Sequence, residues 1–353
     1  MTIFVPLLLI TTQTFAKDLE QPAPTFQNYH ALLERASTLY QNGRYDAAII
    51  LFKKGEERGA PADVVAFNVG NCRYRSGDLP RAAAAYRRAI RLSAQENPSA
   101  LLNLAAVLYR MGEYAEAAAT YRRLLRSEPE QVDGWFFLAE SCTRSKDYVC
   151  AQQALERARF LSPDDVGIVY RQAENHLRMK ELDEAIVLIR EAYRLNPDEV
   201  DYLFYIGDLY RSDKQWDAAA DAYREGLAIY PDQTEVLYKL ADVLVESEKP
   251  FLAMEILQKI LFLQPDFSDA ALFLGNIAFD QRWMERAEQA YLLAATLKND
   301  EGIQGLRNVA YEAERTENYA EAYRIVKIAL QYAPHHRALQ EEAEYYHSKI
   351  SQK

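Results

Sequence analysis

The chain has 353 residues, a formal net charge of −11 and a hydrophobic fraction of 49%. An acidic balance of that size argues against nucleic acid as the principal partner, since phosphate backbones call for a surplus of Lys and Arg. Three cysteines and five histidines, with no C-x-x-C and no clustered His/Cys spacing, suggest no metal site and supply few candidates for catalysis.

The first sixteen residues carry no charged side chain and contain an apolar run over 3–10. Thr14, Phe15 and Ala16 put small residues at the two positions that specify a cut ahead of Lys17. Residues 1–16 therefore read as a secretory signal peptide, although the amino-terminal region lacks Lys and Arg. The alternative is an apolar tail on a cytoplasmic protein. The run is too short to span a membrane, so no transmembrane anchor is expected. Residues 17–28, with Gln21, Pro22, Ala23 and Pro24, read as a linker.

From residue 29 a repeat sets in. Alanine recurs at 48, 82, 117, 151, 185, 219, 253, 287 and 322, in steps of 34 with two of 35. The units are 29–62, 63–96, 98–131, 132–165, 166–199, 200–233, 234–267, 268–301 and 303–336. A unit of this length is one helical hairpin, which must stack on neighbours to bury its apolar face. Two further columns are small. The eighth position is Ala or Gly in all nine units, and the twenty-seventh is small in seven. Small residues let helix axes approach. The twenty-fourth position is large, for example Phe52, Tyr86, Tyr121 and Tyr223. Six units end on proline (129, 163, 197, 231, 265 and 334), which stops a helix. Ala60, Ala94 and Asn299 stand there in the other three, so the stop is weaker. Residues 337–353 read as a final amphipathic helix covering the open end of the stack.

These columns resemble the tetratricopeptide repeat. Leu101, Leu104, Ala105, Gly112, Tyr114, Ala117, Tyr121 and Pro129 match the signature of that family. So do Leu203, Ile206, Gly207, Tyr210, Trp216, Ala219, Tyr223 and Pro231. The resemblance covers 29–336. It implies an all-α fold, an α-α superhelix of nine antiparallel helix pairs whose A helices line a concave groove that takes peptide or protein partners.

Carried over by position, the groove draws on Tyr40, Phe67, Asn68, Asn71, Tyr74, Arg75, Asn103, Tyr109, Arg110, Phe136, Tyr170, Phe204, Asp208, Tyr238, Asp242, Glu246 and Asp280. The fifth position supplies an apolar ladder that includes Phe67, Phe136, Tyr170, Phe204 and Tyr238. The other reading of that ladder is a helix–helix seam. The thirteenth supplies Arg75, Arg110, Arg144 and Arg178. Glu140 and Glu174 stand four residues before the last two and are expected to pair with them. Arg75 and Arg110 have Asn71 and Ala106 at that offset. They are the expected free cations for a ligand carboxylate or phosphate. Asn71 and Asn103 match two positions of a carboxylate clamp that some family members use on chaperone C-termini. Phe67, Asp133 and Phe137 stand where its lysines would be, so that ligand is not expected.

Charge is polarised along the chain. Residues 63–131 hold ten Arg against seven Asp and Glu, a balance of +3. Residues 166–301 hold fourteen Lys and Arg against twenty-six Asp and Glu, a balance of −12. The expected partner is acidic toward repeats 2–3 and basic toward repeats 6–8. Cys142 and Cys150 flank one inter-helix turn. They read either as a disulfide, which an exported compartment allows, or as two buried small residues. Cys72 and His176 read as packed.

The expected function is a non-catalytic scaffold or adaptor, exported to the periplasm of a bacterial cell envelope and serving secretion, pilus, motility or polysaccharide-export machinery. No cofactor is expected. The alternatives are recognition of a polysaccharide on the aromatic ladder and homo-oligomerisation through the groove.

Overall fold

The computed structural model of the chain describes residues 27–352. The expected leader 1–16 and linker 17–28 lie outside the described residues, except that the backbone of Gln27 and Asn28 opens the first helix. The described residues form nineteen α-helices and no strand. They divide into two compact units, one running to Leu195 and the other from Asn196.

The first unit holds five hairpins. Their A helices are α1 (Gln27–Gln41), α3 (Ala62–Arg75), α5 (Pro98–Met111), α7 (Val132–Arg144) and α9 (Val166–Met179). Their B helices are α2 (Tyr45–Glu57), α4 (Leu79–Leu92), α6 (Tyr114–Ser127), α8 (Tyr148–Leu161) and α10 (Leu182–Leu195). The second unit holds four more hairpins. These pair α11 (Asp201–Ser212) with α12 (Trp216–Leu227), α13 (Thr234–Glu246) with α14 (Pro250–Leu263), α15 (Ser268–Asp280) with α16 (Met284–Thr296), and α17 (Asp300–Arg315) with α18 (Tyr319–Tyr332). A last helix, α19 (Arg337–Ser351), follows. Within each unit every helix packs on the next in the chain.

Short side-chain signals start many of these helices. Asp78, Asn97, Asp147, Asp165, Asn299 and Asn318 each accept a hydrogen bond from a backbone N–H of the first turn. Those donors have no partner inside the helix. Each A helix then stops at the fifteenth position of its unit, where the backbone turns left-handed. Gly43, Gly77 and Gly112 serve the first three hairpins, and Lys146, Lys180, Lys214, Glu248, Arg282 and Glu317 the other six. Two of the three units without the terminal proline end on a left-handed residue instead. Gly59, at φ +95, follows α2, and Lys298, at φ +64, follows α16.

The core is the set of small and large columns. All nine alanines of the recurring column are fully buried. The eighth and twenty-fourth positions meet across each hairpin. The rings of Tyr86, Tyr223 and Tyr291 lie so close to Gly70, Gly207 and Gly275 that an added Cβ would meet them at 2.6, 2.5 and 2.6 Å. Each hydroxyl then donates to the residue fifteen earlier: Asn71 at 2.7 Å, Asp208 at 2.6 Å and Asn276 at 2.9 Å. Burial pushes all three tyrosines above their ordinary range, Tyr291 to about 12. The third hairpin departs from this arrangement. It has Ala105 and Ala106 in place of the Gly and the acceptor, and the Tyr121 hydroxyl is buried without a partner among the described residues.

α19 buries Leu339, Ala343 and Tyr346. The Tyr346 hydroxyl donates to Glu314 on α17 at 2.9 Å, and Arg307 forms a two-pronged pair with Glu342. Cys142 and Cys150 are joined by a disulfide that closes the α7–α8 turn, with their Cα atoms 5.8 Å apart. Cys72 is a buried free thiol, pushed up to about 12 by desolvation.

Candidate functional site

In the first unit the last turns of four A helices carry a file of arginines, three of them placed against the hairpin before. The Arg75 Nε donates to the Tyr40 hydroxyl at 3.3 Å. Arg110 lies 4.9 Å over the centre of the Tyr74 ring. Arg144 meets the Tyr109 hydroxyl, which raises the arginine above its ordinary range, as Tyr40 does for Arg75. Arg178 follows on α9. All four arginines are exposed, and none has a carboxylate partner among the described residues. A tyrosine face or hydroxyl orients a guanidinium without cancelling its charge. The file therefore holds three cations positioned by tyrosines, Arg75, Arg110 and Arg144, with Arg178 exposed beyond them.

The expected pairing of Glu140 with Arg144 and Glu174 with Arg178 is not what forms. Glu140 is buried and pairs with Arg171 at 3.3 Å, and Arg171 meets Glu174 at 2.5 Å. Desolvation holds the Glu140 carboxyl above its usual range, against the pull of Arg171. Arg171 stands on the next hairpin, 31 residues from Glu140, so a search at i±4 misses it. Arg144 and Arg178 thus join Arg75 and Arg110.

Several expected groove residues belong to the interior. Phe67 and Phe204 are buried. Phe67 packs on Tyr86, and Phe204 sits where a Cβ on Gly226 would be. Tyr40 is buried and offers its hydroxyl to Arg75. Asn71 and Asn103 are buried too. The Asn71 Oδ1 accepts from Tyr86 and from the Asn103 Nδ2 at 3.1 Å. Asn68 donates to the Val64 carbonyl in its own helix. Phe136 packs edge-on against Phe137, and Tyr238 lies between Phe267 and Phe273. Tyr170, Tyr74 and Tyr109 are half-buried. The fifth-position ladder is thus largely a helix–helix seam in both units.

In the second unit two of the four expected acids are neutralised. Asp208 accepts from Tyr223 and from the Lys239 Nζ at 3.0 Å, and Asp242 is paired with Arg211 at 2.7 Å. Both cations stand 31 residues from their acids, on adjoining hairpins. Glu246 and Asp280 are exposed, with no ion-pair partner among the described residues. His176 is tied to Glu181 at 2.7 Å. Among the described residues no cluster of His, Cys, Asp and Glu could hold a metal ion, and no helix is long and apolar enough to cross a membrane.

The family model described as the cilia and flagella-associated protein 70 C-terminal domain, a tetratricopeptide-repeat domain, matches residues 28–251, and a tetratricopeptide-repeat model matches 238–302. The chain belongs to the tetratricopeptide-repeat family. Solved structures similar to it include the C-terminal part of a tetratricopeptide repeat-containing protein from Cytophaga hutchinsonii, 16% identical over 67% of this chain and 97% of that one, with a TM-score of 0.49. YrrB, described as having an unusual peptide-binding site, is 14% identical over 51% of this chain and 96% of its own, with a TM-score of 0.45. MamA from Desulfovibrio magneticus is 14% identical over 50% and 98%, with a TM-score of 0.44. No curated protein matches the chain in sequence. Tetratricopeptide repeats bind protein or peptide partners and are generally non-catalytic scaffolds.

Proposed function

We propose that this tetratricopeptide-repeat chain is a scaffold that captures an acidic, extended segment of a partner protein along the A helices of its first unit. The observation that carries this reading is the file Arg75, Arg110, Arg144 and Arg178, the first three oriented by tyrosines and none in an ion pair with a carboxylate among the described residues. In the second unit Asp208 and Asp242 are engaged by Lys239 and Arg211, which leaves less to attract a basic segment at those two positions. Export to a bacterial cell envelope, in the service of an assembly or secretion machine, remains part of the proposal. The uncharged apolar leader supports it, as does the disulfide, which persists in oxidising compartments.

The test is fluorescence anisotropy with fluorescein-labelled hexaglutamate. Binding should weaken with added salt. It should fall about tenfold in the Arg75→Glu, Arg110→Glu variant, whose thermal melt should match the parent. Unchanged affinity in that variant would overturn the reading.

A further inference from the structure

The fourth and fifth hairpins enclose a cavity of about 260 Å³ that combines two kinds of recognition group. One wall is the disulfide-closed turn between α7 and α8, which contributes Arg144, Lys146 and Tyr148. The other is α9, which contributes Arg171, Asn175 and Arg178. Glu140 and Glu174 also line it, and both are engaged by Arg171. Arg144, Lys146 and Arg178 have no carboxylate partner among the described residues, so the cavity carries an uncompensated positive charge.

The second group is Asn175, which is 2% exposed. Its Nδ2 is committed to the Tyr148 carbonyl at 3.0 Å and to Gln152 at 3.2 Å. That fixes the amide, and its Oδ1 is a buried acceptor with no partner among the described residues. A buried acceptor left unpaired is costly, so this atom calls for a donor. The cations ask for an anion and Asn175 asks for an N–H. A fully ionised phosphate polymer, which has no donor to give, satisfies only the first demand. A peptide residue with a carboxylate side chain satisfies both.

We propose that this cavity is a subsite for one Asp or Glu of the captured segment. Its carboxylate lies between Arg144 and Arg178, and a main-chain N–H is donated to the Asn175 Oδ1. The inference rests on the acidic-segment reading above and adds what distinguishes a peptide from other polyanions. The disulfide and the left-handed Lys146 (φ +63) hold the wall that carries Arg144.

The experiment compares hexaglutamate with inorganic tripolyphosphate on the full chain, the latter by competition. Arg144→Gln with Arg178→Gln should weaken both about tenfold. Asn175→Leu should weaken hexaglutamate about fivefold and leave tripolyphosphate unchanged. An Asn175→Leu variant that keeps full hexaglutamate affinity, or loses both probes equally, overturns the proposal. So does an Arg144→Gln, Arg178→Gln variant that binds hexaglutamate like the parent. That last result, alongside a loss in Arg75→Glu, Arg110→Glu, would remove the subsite and leave the scaffold function standing. Failure of the parent to bind hexaglutamate at all would remove both.

Discussion

The third and sixth hairpins share a fold and almost a sequence pattern, yet they use one position in opposite ways. At the ninth position the sixth hairpin has Asp208, which takes the Tyr223 hydroxyl on one side and Lys239 on the other. The third has Ala106. There Tyr121 keeps its hydroxyl unpaired in the core, and Arg110, one turn further along the helix, meets a tyrosine ring instead of an acid. An acid at this column spends surface charge on internal order. An alanine forgoes a core hydrogen bond and leaves a cation available for a partner.

Four pairs of substitutions would break or sharpen that comparison, and chemical denaturation reads all of them. The largest effect belongs to the eighth position. Gly207→Ala drives a Cβ to 2.5 Å from the Tyr223 ring and should cost about 3 kcal/mol. The reverse change in the third hairpin, Ala105→Gly, should cost only about 1 kcal/mol, because it adds no clash. Equal costs would mean that the two tyrosines are not seated differently. Next, Asp208→Ala should lose about 2 kcal/mol by stranding the Tyr223 hydroxyl and releasing Lys239. Lys239→Met should lose less than about 1 kcal/mol, since that ion pair is partly solvated. Third, Tyr223→Phe should cost about 1 kcal/mol, whereas Tyr121→Phe should cost nothing or stabilise, because it deletes an unpaired polar atom. A clear loss in Tyr121→Phe would show that this hydroxyl has found a partner after all. The smallest effect lies in the turns. Gly112→Ala places a Cβ at φ +82 and should lose about 1 kcal/mol. Lys214→Gly relieves the same strain in the sixth hairpin at φ +61 and should gain only about 0.5 kcal/mol, because glycine gives back chain entropy.

The helices were legible in the sequence because three columns of size, read at one spacing, restrict how two rods can meet. Gly207 beneath Tyr223 is such a restriction written in two letters. The polar partners were less legible. Glu140 has an arginine four residues on, and a helix read alone makes that its partner. In the folded chain Arg171 comes from the neighbouring hairpin and takes the acid, which frees Arg144. Asp208 and Asp242 were misread in the mirror sense, since their cations also stand 31 residues away. Asn71 and Asn103 were expected to face the groove because their two columns do so in the family. Here the Tyr86 hydroxyl draws Asn71 into the core. A signal for this was present: a tyrosine at the twenty-fourth position, a glycine at the eighth and an Asn or Asp at the ninth occur together in three hairpins.

The recurrence of an arginine at the same position of successive hairpins has a metrical consequence. The arginines stand on alternate helices, one per hairpin, so successive guanidinium groups are offered at an interval on the order of 10 Å. A polyproline II strand advances about 3.1 Å per residue and completes a turn every three. Its side chains therefore fall on one edge at nearly the same interval. On the proposal of an acidic extended partner, the segment that fits this file would carry an acid at every third residue with small or proline residues between, so that composition and pitch would be read together.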